Sequence, residues 1–290
     1  MAVIRNPVEW GWDQIKGAAT AVDSVAHEEP EALHALRRGH PTVRRIGVAD
    51  IRGALTDGLA DFGAARTDVL LLCVIYPIAG LVFARLAFGY GVIPLLFPLV
   101  AGFALIGPFA AIGLYEMSRR RERGLEVSWM NAFGVFRSPS FPTILRLGLV
   151  LTGLFLVWLI VAEGLYDITL GPGQPIAAGA FVHDVFYTWG GWVLIVVGIG
   201  IGFLFAVLAM AISVVSFPLM LDRADVTVET AIATSVRAVR TNPGPMAVWG
   251  FVVAAGLVIG SIPLLIGLAI VMPVLGHATW HLYRRLVVTP

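Results

Sequence analysis

The sequence predicts an all-α membrane protein: six transmembrane helices arranged as three hairpins, each preceded by a cytoplasmic interfacial amphipathic helix. Three observations carry this. Of the 290 residues 58% are hydrophobic and 13% charged, and mean hydropathy is +0.85, far from the balance of a soluble domain. Six apolar runs each approach the roughly 20 helical residues needed to cross about 30 Å of hydrocarbon. Lysine and arginine are concentrated on alternate sides of those runs.

Residues 1–47 form a cytoplasmic N-terminal arm. Asn6-Pro7-Val8-Glu9 offers a capping Asn, Pro at the first helical position and Glu at the third. Val8, Trp12, Ile15, Ala19 and Val22 then fall on one face, a pattern that suits a helix in the membrane interface or one packed on the protein's own cytoplasmic side. Residues 27–47 balance their charges without apolar periodicity and read as a mobile linker. No basic head followed by an apolar stretch opens the chain, so the first run is expected to be a retained signal anchor.

The runs are 69–88, 93–117, 143–166, 189–221, 245–260 and 263–283. Gly89-Tyr90-Gly91 closes the first hairpin, residues 170–175 open a longer connection in the second, and Gly260-Ser261-Ile262-Pro263 breaks 245–283 into two helices. Of the twenty Lys and Arg, eight precede the first run, five lie at 119–137, three at 223–240 and two at the end, while the three opposite connections have none. Both termini and the basic connections are therefore expected in the cytoplasm of a bacterial cytoplasmic (inner) membrane. Arg146, in the first turn of its run, and Arg85, near the outer end of the first, can reach the interface by snorkelling.

A threefold pattern organises residues 48–290, with units at about 48–120, 125–223 and 228–285. Before the first, third and fifth runs stands an amphipathic segment ending in Arg66-Thr67-Asp68, Arg137-Ser138-Pro139 and Arg240-Thr241-Asn242-Pro243. Counting back from each Arg gives apolar stripes Ala54, Gly58, Phe62, Ala65; Leu125, Trp129, Phe133, Phe136; and Val228, Ile232, Val236, Val239. In addition, Gly107 to Arg120 aligns without gaps on Met272 to Arg285, each with Pro ten or more residues ahead of an Arg pair. Such repeats can enclose a site at their interface, and they also arise by simple duplication of a stable hairpin.

The phrases Arg66-Thr67-Asp68 leading into Cys73-Val74-Ile75-Tyr76-Pro77, Gly113-Leu114-Tyr115-Glu116-Met117-Ser118-Arg119-Arg120, Ser216-Phe217-Pro218-Leu219-Met220-Leu221-Asp222-Arg223 and Gly276-His277-Ala278-Thr279-Trp280-His281 resemble a bacterial integral-membrane domain-of-unknown-function family, number 2189, over roughly residues 45–288. Some of its members carry the label of cytochrome c oxidase subunit I, but the resemblance implies no established activity and no catalytic residues. A haem–copper centre needs several His on neighbouring spans. Here only His277 and His281 lie in a run.

His277 and His281 are one helical turn apart, the spacing that could chelate a metal with a third ligand. Beside Trp280, Tyr283 and Arg284-Arg285 they also read as an interfacial mixture. Glu116 and Glu163 are carboxylates at the edges of runs, and with Arg85 they are the remaining functional candidates. The repeat alignment matches Glu116 to His281, so the two could meet across a shared cytoplasmic vestibule. His183-Asp184 lacks a nucleophile partner, and the lone Cys73 forms no disulfide within one chain. Gly190, Gly191, Gly198 and Gly202 suit close helix packing. No cofactor is expected, and a net charge of +1 gives no field for nucleic acid. The expected partners are the lipid bilayer and another membrane protein complex. The expected role is a non-enzymatic scaffold or accessory to that complex. A small transporter or channel with a site between hairpin repeats comes second, and a haem- or metal-binding respiratory subunit third.

Topology is directly measurable. Reporter fusions at Tyr90, Pro175 and Ser261 should read periplasmic, and those at Leu125, Thr230 and Pro290 cytoplasmic. A periplasmic C-terminus would contradict the six-span arrangement.

Overall fold

A computed structural model of the chain describes residues 41–64, 78, 82, 85, 98–99, 107–172, 178–263 and 266–288. The expected arm helix, the first hairpin's turn and most of the runs 69–88 and 93–117 lie outside them. Strand β1 (Thr42–Val43) leads into α1 (Val48–Ala64). Then follow α2 (Ile112–Glu122), α3 (Trp129–Ala132) with a short 3-10 helix at Phe133–Arg137, α4 (Phe141–Leu170), α5 (Ala178–Tyr187) and α6 (Trp189–Ser213). The chain ends with α7 (Ser216–Asp222), α8 (Val228–Thr241), α9 (Pro243–Ser261), α10 (Leu268–Leu286) and β2 (Val287–Val288).

Three stretches are long and apolar enough to cross a membrane: α4, the run from α6 through α7, and α9. α4 has Pro142 in its first turn, where the missing amide proton is harmless, and stops at Gly171, whose φ of 92° favours glycine. Its outward face carries Leu149, Leu156 and Ile160, and that of α6 carries Val196, Ile199, Phe203 and Leu204. Only 6% of the most apolar window of the α6–α7 run is buried, so its apolar surface needs a solvent other than water. α4 and α6 meet through Trp158, which packs on Phe205 with centroids 5.5 Å apart and covers Gly202.

The expected run 189–221 is present as one membrane-long stretch, Trp189–Asp222, with a two-residue interruption at Val214–Val215, where the Val215 amide donates to Ser235 Oγ on α8 at 3.2 Å; α7 beyond it lies buried against the other helices. The middle connection, read as a loop, contains the helix α5. Gly191 lets α6 start against it, because a Cβ there would lie 2.2 Å from the Val185 carbonyl oxygen, and Gly190 is likewise close to the Thr169 carbonyl of α4. The break between α9 and α10 falls where Gly260 and Pro263 place it, with Gly267 packed on the Gly260 backbone. α10, the expected sixth crossing, is not among the three membrane-long apolar stretches of the described residues.

The core surrounds the C-terminal half of α10. Trp280, Leu282, Tyr283 and Leu286 are buried there with Tyr115 and Met117 of α2, Phe217 and Leu219 of α7, and Ile51 and Ala54 of α1. Contacts between α1 and α10 run in opposite senses along the two chains, Asp57 with Arg285 and Gly58 with Ala278, so the helices are antiparallel. The stripe of α1, expected to lie on a membrane surface, is thus covered by α10. On α8 the deepest residues are Ala231, Thr234, Ser235 and Ala238, with Val228, Ile232 and Val239 flanking them. Small side chains sit at the closest approach and the larger valines and isoleucine at its rim.

The end of the supposed linker is also tied down. β1 pairs antiparallel with β2, and Asn242 at the α8–α9 break accepts from the Ile46 amide at 2.8 Å and donates to the Arg44 carbonyl at 3.1 Å.

Gly58 tests the α1–α10 contact. A Cβ there would lie 2.6 Å from the Ala278 backbone nitrogen, whereas one at Gly63 meets nothing within 4 Å. Gly58→Ala should destabilise the chain by about 1–3 kcal/mol through overpacking. Gly63→Ala should be neutral or stabilising by up to about 1 kcal/mol. Thermal unfolding in mild detergent distinguishes the two.

Candidate functional site

Where α1, α2 and α10 meet, polar side chains replace the apolar core. Asp61 occupies the buried stripe of α1, one turn beyond Gly58. From α2, Ser118 Oγ donates to Asp61 Oδ2 at 2.5 Å, and Arg121 Nη1 donates to Oδ1 at 2.6 Å. From α10, His281 Nε2 donates to Oδ2 at 2.8 Å. His277 Nδ1 lies 2.8 Å from Ser118 Oγ. Ser118, His277 and Asp61 are all buried.

Proton supply fixes the direction of these bonds. Ser118 has one hydroxyl proton, and an ionised Asp61 can only accept, so the proton goes to Asp61 and Ser118 accepts from the His277 Nδ1–H. His277 Nε2 is then a bare lone pair when the ring is neutral, and it has no hydrogen-bond partner among the described residues. This order is the reverse of a nucleophilic triad, in which histidine takes the serine proton and the carboxylate orients the histidine. With Ser118 only 1% exposed, the trio holds helices together and does not present a nucleophile.

Burial pushes the Asp61 carboxyl up, but hydrogen bonds from His281 and Ser118 and the positive potential of the two histidines outweigh it and hold it below the usual aspartate range.

A second set of ion pairs borders the first. Glu122 of α2 accepts from Trp280 Nε1 at 3.0 Å and Arg284 Nε at 2.9 Å. Asp222, the last residue of α7, accepts from Tyr283 Oη at 3.0 Å and Arg123 Nη2 at 3.2 Å. Arg119 Nη1 donates to the Leu221 carbonyl at 2.5 Å. Trp280 and Tyr283, expected as interfacial anchors, are instead core residues, because α1, α2 and α7 enclose this part of α10.

The structure therefore brings the candidates His277 and His281 together through Ser118 and Asp61. Glu116 makes an ion contact with Arg119, 2.7 Å away on its own helix, and His281 is taken by Asp61, so the expected Glu116–His281 pair is not what joins α2 and α10. Glu163 is half-buried on α4, and Arg85 is helical and exposed. His183 lies 3.5 Å from Asp184 and stacks on Tyr187 at an exposed position. Among the described residues no three His, Cys, Asp or Glu are grouped to hold a metal ion. Sequence reading missed Asp61 and Ser118. The available signal was the acid at position 61, on the same face as Ala54 and Gly58.

Asp61→Asn should cost about 2–4 kcal/mol in stability by leaving His281 and Arg121 without their carboxylate, and its effect should not add to that of Ser118→Ala. Because the folded-state pKa of Asp61 is depressed, its contribution is complete above the ordinary aspartate pKa and is lost as pH falls below about 4. The unsubstituted chain should accordingly lose stability in that window, and Asp61→Asn should lose less; denaturation in detergent across pH measures both.

No curated protein and no solved structure matches the chain. The stretch from residue 96 to Asp222 contains Ser118, Glu122 and Asp222 but neither Asp61 nor the two histidines of α10. Those residues, 96–222, match the model of the family described as predicted integral membrane protein (DUF2189).

Proposed function

We propose that this protein is a non-enzymatic component of the bacterial inner membrane, a scaffold or accessory to another membrane complex. The observation that carries the reading is the way its polar chemistry is used. Asp61, Glu122 and Asp222 each accept from two or more partners on other helices. Groups consumed in this way stabilise a platform and are not free to turn over a substrate. The arginines of α2 and α10 cluster at this platform. The exposed Tyr187, Trp189 and Trp192 at the α5–α6 turn suit the opposite interface, in keeping with a connection between spans on that side.

One observation favours a small transporter or channel as the second reading. The chain His277–Ser118–Asp61–His281 is continuous and ends in a buried, unpartnered Nε2, an arrangement that could hold a proton. A respiratory-subunit role draws less support, since among the described residues no three His, Cys, Asp or Glu are grouped to hold a metal ion around His277 and His281.

Cross-linking in native membranes, then purification in gentle detergent, tests the reading. An accessory protein should co-purify in fixed stoichiometry with one membrane complex, and its proteoliposomes should carry no proton or ion flux. A chain recovered alone whose proteoliposomes conduct protons would overturn it.

A further inference from the structure

The segments preceding α4 and α9 and the helix α1 share an amphipathic pattern, but their apolar stripes meet different surroundings. Those of α1 and α8 are covered by other helices of the chain. The segment 125–137 differs. Its inward residues are Ala132, seated against Gly113 of α2, and Val135. Its large apolar side chains point out: Leu125 is 50% exposed, Met130 66% and Phe136 61%. Phe136 meets Phe141, the first residue of α4, edge-on with centroids 5.2 Å apart. The exposed apolar surface therefore continues onto the outward stripe of α4 at Leu145 and Leu149.

Two cations belong to this surface. Arg137 closes the segment and Arg146 interrupts the outward stripe of α4; both are exposed, and neither guanidinium has a hydrogen bond or ion pair to another described residue. By contrast Arg119, Arg121, Arg123 and Arg284 are all engaged by carboxylates. An apolar patch continuous with a lipid-facing helix and edged by unpaired guanidinium groups matches a leaflet whose acyl chains meet anionic phosphates.

We propose that residues 125–137 seat in the headgroup layer of the cytoplasmic leaflet and bind anionic phospholipid, with Arg137 and Arg146 as the phosphate contacts. Burial of Met130 and Phe136 among acyl carbons fixes the depth of the segment. The guanidinium forks select phosphatidylglycerol-type headgroups over zwitterionic ones, since phosphate pairing there is not offset by a choline charge. This inference rests on the protein's place in a membrane and not on its accessory role.

The test uses the full chain with its one cysteine removed, Cys73→Ser, and a bimane fluorophore on Phe136→Cys or, as a second position, Met130→Cys. Each protein is reconstituted in vesicles containing brominated phosphatidylcholine or brominated phosphatidylglycerol. Both lipids should quench the fluorophore, with phosphatidylglycerol the more effective. Arg137→Gln and Arg146→Gln, both at exposed positions, should each lower that preference about fivefold. Equal quenching by the two lipids, or access to aqueous iodide with no lipid quenching, overturns the proposal. A fluorophore shielded from both lipid and iodide also overturns it, by assigning the patch to a protein partner or a second copy.

Discussion

The arrangement of this protein depends on one buried carboxylate. Asp61 stands on the apolar face of α1, where an unpaired charge would be strongly unfavourable, and it is stable there because α2 and α10 both donate to it. Three helices far apart in sequence are thereby held in one register. Gly58 and Ala278 allow the backbones close enough for the bonds to form, so the packing and the polar cluster require each other. Around it, Glu122 and Asp222 repeat the device by joining α2 and α7 to α10.

The rest of the chain follows a different rule. α4, α6 and α9 turn large apolar side chains outward, which is stable where lipid replaces water. Within that environment the helices gain little from hydrophobic exclusion and rely on close contact, as at Trp158 against Gly202. The molecule thus combines an apolar half held by shape with a polar half held by charge.

This division explains what could be read in the sequence. The outward helices were legible because lipid demands long apolar runs, and the breaks at Asn242 and Gly260 were legible because Pro and Gly leave few alternatives. The interruption at Val214–Val215 was not, since the group that accepts the Val215 amide is the Ser235 hydroxyl on a distant helix. Nor was the cover of the stripes on α1 and α8, because periodicity identifies a face without its partner. Trp280 and Tyr283 have interfacial composition yet lie in the core, as does His277 beside them, while His281 is half-buried. The pairing of His281 with Asp61 spans 220 positions in the chain, and local pattern holds no trace of it.

The ionisation state of Asp61 tests the account most directly. Infrared difference spectra between the unsubstituted chain and Asp61→Asn, taken in lipid at neutral pH, isolate its carboxyl bands. The account predicts the paired stretches of an ionised carboxylate, shifted by strong hydrogen bonding. A single protonated carboxyl band at neutral pH would contradict it, because the donors on α2 and α10 would then have no charge to hold them.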